Sequence, residues 1–487
     1  MNPALIIICA AAVMALVLGL RAAKGRDMNL QQWSLGGRSF GVIFMFILLA
    51  GEIYTTFSFL GASGWSYSKG AASYYILAYQ ILAYIFSYFL LPKIWRYSNQ
   101  HKLLSQPHFF AKKYESPSLG NLVAVVGVIA LIPYLLLQFK GLGIIVSIAS
   151  YGSISATTAI CIGALVVTTY VIVSGMHGVV WNAVVKDGLI LSVVVFLGFY
   201  MPLHYYGGFG AMFSAINVAK PEFLVFPEHG YSKVWFQSTV LLTATGFFMW
   251  PHTFGCVLSA NNDNSFRRNA VFLPLYSLLV LFALFVGFSA ILQVPGLQGA
   301  DADLALLKLS VQTFEPWLVG IIGAAGLLTA LVPSSLILTS ASTIIANDIY
   351  RTGFRRNASD TEVKRVARFF VPVISLVTLA FTLSGGATIV ALLLMGYNFV
   401  TQLFPAVFFS LMQRNPVTKQ GAFCGILAGA ITVAAITLSK STVAGLFPFL
   451  PSPLMDLNVG MVALIINIGT TLLISLVTQP VGERVRL

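Results

Sequence analysis

Four ionisable side chains stand inside long apolar stretches of this sequence: Glu52, Lys140, Lys186 and Asp187. A charge at the centre of a bilayer costs about 2.5–3.5 kcal/mol even on insertion scales, so each is expected to face a bundle interior with a partner or a task. Glu52 follows Gly51 and opens the run 52–58, which ends at Ser58 and suits a helix break; its carboxylate could hold a cation or take up a proton. Lys140, two residues past Gln138, suits a solute carboxylate unless it reaches outward to the interface. Lys186 and Asp187 are neighbours about 100° apart on a helix, and a role in tying helices together weighs equally with function for Asp187. Further on, Trp250-Pro251-His252-Thr253 supplies an aromatic wall, an imidazole and a hydroxyl beside a second helix breaker, and Tyr397 adds another ring. Such a set suits a small, partly apolar anion. The other five histidines read as interfacial or loop residues.

No catalytic constellation accompanies these groups. His-Glu-x-x-His and Gly-x-Ser-x-Gly are both missing from the sequence, which argues against a membrane-embedded enzyme. Cys9, Cys161, Cys256 and Cys424 lack the spacing of a zinc or redox motif and read as small hydrophobes.

The elements that must position these residues are membrane spans. The chain is 58% hydrophobic and 9% charged, against about 25% charged for soluble domains. Its mean hydropathy is +0.87. Apolar blocks of the length a helix needs to cross roughly 30 Å of hydrocarbon recur along it, and the alternating segments of a barrel do not. The reading is an all-α integral membrane protein of thirteen spans, the first at 3–20 and the last at 459–476. The first block has no basic residue before it and no Ala-x-Ala site after it, so it is expected to be retained as a span. The last ends close to Leu487, so no output domain of a solute sensor is expected.

A formal charge of +13 raises the question of nucleic acid, and its placement answers it. Connections after odd-numbered spans carry 21 of the 28 Lys and Arg, and the opposite side carries 5. That asymmetry predicts the amino terminus outside and the carboxyl terminus in the cytoplasm. The basic excess is thus a topology signal and no nucleic-acid partner is expected.

Ordered short motifs carry a resemblance. Trp33-Ser34-Leu35-Gly36-Gly37-Arg38-Ser39, Ser105-Gln106-Pro107-His108-Phe109-Phe110, Ser174-Gly175-Met176-His177-Gly178 and Asn347-Asp348-Ile349-Tyr350-Arg351 together resemble the sodium:solute symporter family. Gly51-Glu52-Ile53-Tyr54-Thr55-Thr56-Phe57 and Trp250-Pro251-His252-Thr253-Phe254-Gly255 are similar to its bacterial monocarboxylate permease branch. The resemblance implies a leucine-transporter-type fold: a leading helix and loop (1–39), a five-helix repeat (40–205), an external loop (206–234), an inverted repeat (235–413) and two trailing helices (414–487). Breaks at Gly51 and at Gly246 to Pro251 fall at corresponding positions of the two repeats, which is where a midplane site is expected.

The resemblance implies solute contacts at Trp250, His252 and Thr253, to which the buried polar inventory adds Ser58, Gln138, Lys140 and Tyr397; the candidates for coupling the ion are Gly51, Glu52, Tyr54, Lys186, Ser334 and Ser335. In sodium-driven members one sodium is held by first-helix carbonyls, here Gly51 and Tyr54, and by hydroxyls of the eighth core helix. Counting back from Asn347 puts Val332 and Pro333 at the hydroxyl positions, unless a one-residue shift brings in Ser334 and Ser335. An aspartate that some members place after Trp-Thr is also missing, since the sequence reads Trp181-Asn182-Ala183. In some proton-coupled relatives of the fold a lysine of this helix replaces the sodium, and Lys186 stands there. The expectation is a symporter for a short-chain monocarboxylate such as lactate, pyruvate, acetate or propionate, coupled to protons rather than sodium. Sodium-coupled uptake of an amino acid is the alternative, and a non-transporting solute sensor the rival from another class. No cofactor beyond H+ or Na+ is expected; the partners are a small organic anion and the bilayer, and the chain is expected to be a monomer.

Overall fold

The structure is a computed structural model that describes residues 2–439, 441–449 and 451–479. Arg484 and Arg486 of the expected interior tail, and Lys440, lie outside these residues. Without water, backbone groups in an apolar block must bond within their own segment, and the chain is accordingly helical. Among the described residues the one strand-like feature is a parallel bridge between Phe40 and Ala260.

The chain opens with α1 (Pro3–Arg21), a short α2 (Leu30–Leu35) and α3 (Val42–Gly51), which breaks and resumes through a π-helical turn (Phe57–Gly61) into α4 (Ala62–Lys69). Then come α5 (Tyr75–Gln100), α6 (Gln106–Lys113), α7 (Pro117–Ala149), α8 (Ala156–Tyr206) and α9 (Phe209–Ala219). A second break separates α10 (Lys233–Gly246) from α11 (Pro251–Leu258), followed by α12 (Asn264–Ser277), α13 (Val280–Gln293) and α14 (Ala305–Thr313). The remainder is α15 (Pro316–Thr343), α16 (Asp360–Ser384), α17 (Ile389–Val400), α18 (Phe404–Ser410), α19 (Lys419–Ser439), α20 (Val443–Leu446) and α21 (Val459–Thr478). Starts are marked locally: Ser116 accepts from the Leu119 N–H ahead of Pro117, and Ser155 from that of Thr158.

By length and apolarity the described residues hold ten helices able to cross a membrane, or eleven with the bent pair α10–α11 counted as one. Thirteen were expected. The difference lies in long runs that cover two apolar blocks each. At 51 residues α8 would be about 77 Å long, more than twice the hydrocarbon thickness. It carries Gly175 at φ 48° and ψ −131°, where two expected spans meet, and a Cβ there would overlap the Trp33 carbonyl. The run from the π turn into α5 likewise passes through Gly70 at φ 55°.

The helix α15 is apolar all round and buried almost throughout, with α1, α7, α8 and α16 packed about it. Lipid tails are as apolar as leucine, so helices here associate by close packing of small residues. In α19 the glycines 421, 425 and 429 recur every fourth position and lie where side chains would overlap Ser475, Thr471 and Gln402. Large apolar residues such as Leu165, Phe369 and Leu473 point outward, as lipid demands.

Candidate functional site

Both helix breaks have local causes. Pro251 lacks an N–H and pushes the residue before it out of the α region, so Trp250 takes φ −62° and ψ 128° and the chain bends by 50°. After Gly51 the backbone leaves the helix over 52–55, where Thr55 Oγ1 accepts from the Phe57 N–H at 3.2 Å and Ser58 Oγ donates to the Ile53 carbonyl. The carbonyls of Gly51 and Tyr54 are thereby freed.

Lys186, fully buried on the second half of α8, fills that opening. Its Nζ donates to the Gly51 oxygen at 2.7 Å and to the Tyr54 oxygen at 3.0 Å. Its other neighbour is its own successor, Asp187, whose Oδ1 lies 2.9 Å away. That contact is an ion pair by distance whose angles do not make it a hydrogen bond. The two breaks are joined by Glu52: Oε2 meets His252 Nε2 at 2.8 Å and Thr253 Oγ1 at 3.5 Å. The imidazole lies edge-on to Tyr134, with ring centroids 5.1 Å apart. Trp250 continues the wall, 4.8 Å from Tyr134 and 5.2 Å from Tyr397.

This region carries unanswered polar atoms. Both side-chain polar atoms of Gln138, His252 Nδ1 and Thr56 Oγ1 are buried with no hydrogen-bond partner. Buried polar groups are paired in the great majority of cases, so such a concentration at two broken helices calls for a ligand or water. The small cavity of about 20 Å³ beside His252 and Pro251 admits no solute. It shares Leu104 with a cavity of about 780 Å³ at the basic face, lined in part by Lys102, His108, Lys112 and Arg351.

The structure thus brings Gly51, Glu52, Tyr54, Lys186, His252 and Thr253 together, with Trp250 and Tyr397 on the aromatic wall. Ser58 is buried in the π-helical turn that follows the first break and takes a 3.5 Å contact from Gln80 Nε2. Lys140 is elsewhere. Two residues past Gln138 means about 200° around α7, and its ammonium bonds Asp303 at 2.9 Å and the Ala387 carbonyl at 2.7 Å. Ser334 and Ser335 donate within α15, to the carbonyls of Ala330 and Val332, both at 2.6 Å, and Ser335 also meets the Tyr170 hydroxyl of α8. Tyr134 and Thr56 were missed. Tyr134 was findable, since it precedes Gln138 by four residues and shares its helix face; Thr56 needed the packing of Gly141 against it.

A family model of the sodium:solute symporter family matches residues 33–429. The chain belongs to the sodium:solute symporter family. It is 60% identical to the Bacillus subtilis protein described as uncharacterized symporter YhjB over 479 residues, 98% of each chain. A monocarboxylate transport permease protein of Rhizobium johnstonii is 26% identical over 86% of this chain and 87% of its own. Among solved structures, a substrate-bound, outward-open Na+-coupled sialic acid symporter superposes with a TM-score of 0.81 at 15% identity, covering 99% of this chain and 98% of that one. That likeness shows a shared fold. As a sodium:solute symporter family member the chain is a multi-pass membrane transporter, and the resemblance read from its motifs holds.

Proposed function

We propose that this transporter is a proton-coupled symporter that takes up a small carboxylate-bearing solute through the cytoplasmic membrane of a bacterium. One observation carries the reading: the Lys186 ammonium lies 2.7 and 3.0 Å from the Gly51 and Tyr54 carbonyls, the oxygens to which the family resemblance assigns a sodium. An ammonium there is a fixed cation that can be discharged without leaving. Protonated, Lys186 ties the first broken helix to α8; deprotonated, it loses the charge that holds those dipoles, and the tie weakens.

The solute's carboxylate has a place that does not use Lys140. Trp250 gives α11 no side-chain cap, so the first-turn N–H groups face the break, and a helix amino terminus favours an anion. Gln138 is an unpaired donor on the same wall. The basic face with the 780 Å³ cavity is then the cytoplasmic one.

Uptake into proteoliposomes in sodium-free choline buffer, with an imposed inward proton gradient, tests the reading. Accumulation is expected under those conditions. Strict dependence on added sodium would overturn proton coupling, and binding without accumulation would favour a sensor.

A further inference from the structure

Three helices are disturbed around one cavity away from the midplane. Pro92 stands inside α5, Gly246 ends α10 before the second break, and Pro405 sits in the first turn of α18. Helices that bend at such residues part locally, and a cavity of about 390 Å³ lies between them. Phe86, Phe89 and Leu90 of α5 face Phe404 and Phe408 of α18 across it, with Thr245 of α10 in the wall. Thr245 donates to the carbonyls of Leu241 and Leu242 at 2.8 and 3.1 Å, so its hydroxyl asks for nothing from the cavity. Water has no reason to stay in an apolar space of this kind. Phe89 and Phe408 are exposed at its rim, on the surface that meets the bilayer. The natural filling is hydrocarbon.

Apolar contact does not select one lipid over another, because a tail is as well solvated by its neighbours as by phenylalanine or leucine. Selection has to come from the one charged residue of the wall, Lys93. It lies seven residues, about 10 Å, before the end of α5, where a lysine stem reaches the headgroup layer. Among the described residues no carboxylate pairs with its ammonium, whereas Arg96, one turn further on, is paired with Asp263. An unpaired ammonium at the edge of a tail-lined cavity matches a phospholipid whose headgroup carries a net negative charge. Lys93 belongs to the basic connections, so this is a lipid of the leaflet that those connections face.

We infer that the cavity between α5, α10 and α18 binds one acidic phospholipid, with a tail among the phenylalanines and the headgroup phosphate on Lys93, and that this lipid steadies the three bent helices. Thr245 immediately precedes Gly246, so the tail lies against the flank of the second break. The site is separate from the midplane and depends on neither the solute nor the coupling ion.

The test uses the full chain, purified in detergent and stripped of lipid, then titrated with dilauroyl phosphatidylglycerol or with phosphatidylcholine of the same tails. Native mass spectrometry is expected to show one phosphatidylglycerol held about fivefold more tightly than phosphatidylcholine, the share of one basic residue beside an acidic headgroup. The melting temperature should rise further with phosphatidylglycerol than with phosphatidylcholine. Lys93→Gln should erase both differences and leave phosphatidylcholine binding as it was, while Leu411→Trp, which fills the cavity, should weaken both lipids. Equal binding of the two lipids to the wild type, or a preference that survives Lys93→Gln, overturns the inference. Displacement of the lipid by inorganic phosphate would mean that a soluble anion is the ligand, and overturns it as well. The wild-type comparison and Lys93→Gln, an exposed position, decide the matter even if Leu411→Trp does not fold.

Discussion

Lys186 and Gly51 are 135 residues apart in the chain, and the ammonium of one lies 2.7 Å from the carbonyl oxygen of the other. The contact places a fixed ammonium at the opening of a broken helix. Lys186→Ala is expected to abolish accumulation driven by a proton gradient. Lys186→Arg keeps the charge but cannot release the proton, so it should permit solute exchange and not uphill uptake. Lys186→Ala also strands Asp187, a loss of about 3–5 kcal/mol, which Lys186→Ala with Asp187→Asn should largely relieve. Proton-driven accumulation by the folded double variant would rule out the assignment.

Glu52 and His252 join the two breaks at 2.8 Å. Glu52→Gln and His252→Gln are each expected to lower uptake at least tenfold, or about 1.4 kcal/mol of interaction, while the protein still reaches the membrane. Initial rates normalised to the amount of protein decide it; near-wild-type rates in both would detach the pair from transport.

Lys140 is expected to matter for stability rather than for solute affinity, because Asp303 Oδ2 accepts from its ammonium and from the Ile389 N–H. Lys140→Met should lower the melting temperature while leaving the solute KM within about threefold of wild type, less than 1 kcal/mol. A KM raised tenfold or more would return Lys140 to the solute site.

Asp303 lies outside the spans, and burial pushes its carboxyl above the ordinary value, with Lys140 opposing. A carboxyl raised on folding holds its proton more tightly in the folded state. Its contribution to stability is full below the unfolded value of about 4 and is lost as pH rises through the folded value. Over that window the melting temperature of the wild type should fall relative to Asp303→Asn; parallel curves would mean that Asp303 titrates normally.

In the trailing pair, a Cβ on Gly425 would overlap Thr471 Oγ1. Gly425→Val is expected to cost about 1–3 kcal/mol by overpacking, read as a lower melting temperature with unchanged coupling ion. Wild-type stability would show that α19 and α21 are free to part.

Membrane location, helical class and family were legible in the sequence because hydropathy and short motifs are local properties of the chain. The breaks at Gly51 and Pro251 were legible for the same reason, since glycine and proline act on their own turn. Helical angle alone would also have moved Lys140 off the face of Gln138, while Tyr134 was available by its spacing. What needed the tertiary structure was every pairing between distant segments. Lys186 finds the carbonyls of Gly51 and Tyr54 only when α8 packs on the first break, and Glu52 finds His252 only when the two breaks meet. Lys140 could be answered by Asp303 only after a short helix far along the chain had settled near α7. A buried charge must have a partner, and composition states that need; which partner satisfies it is decided by packing, because the energy of an ion pair depends on a few ångströms that no local pattern records.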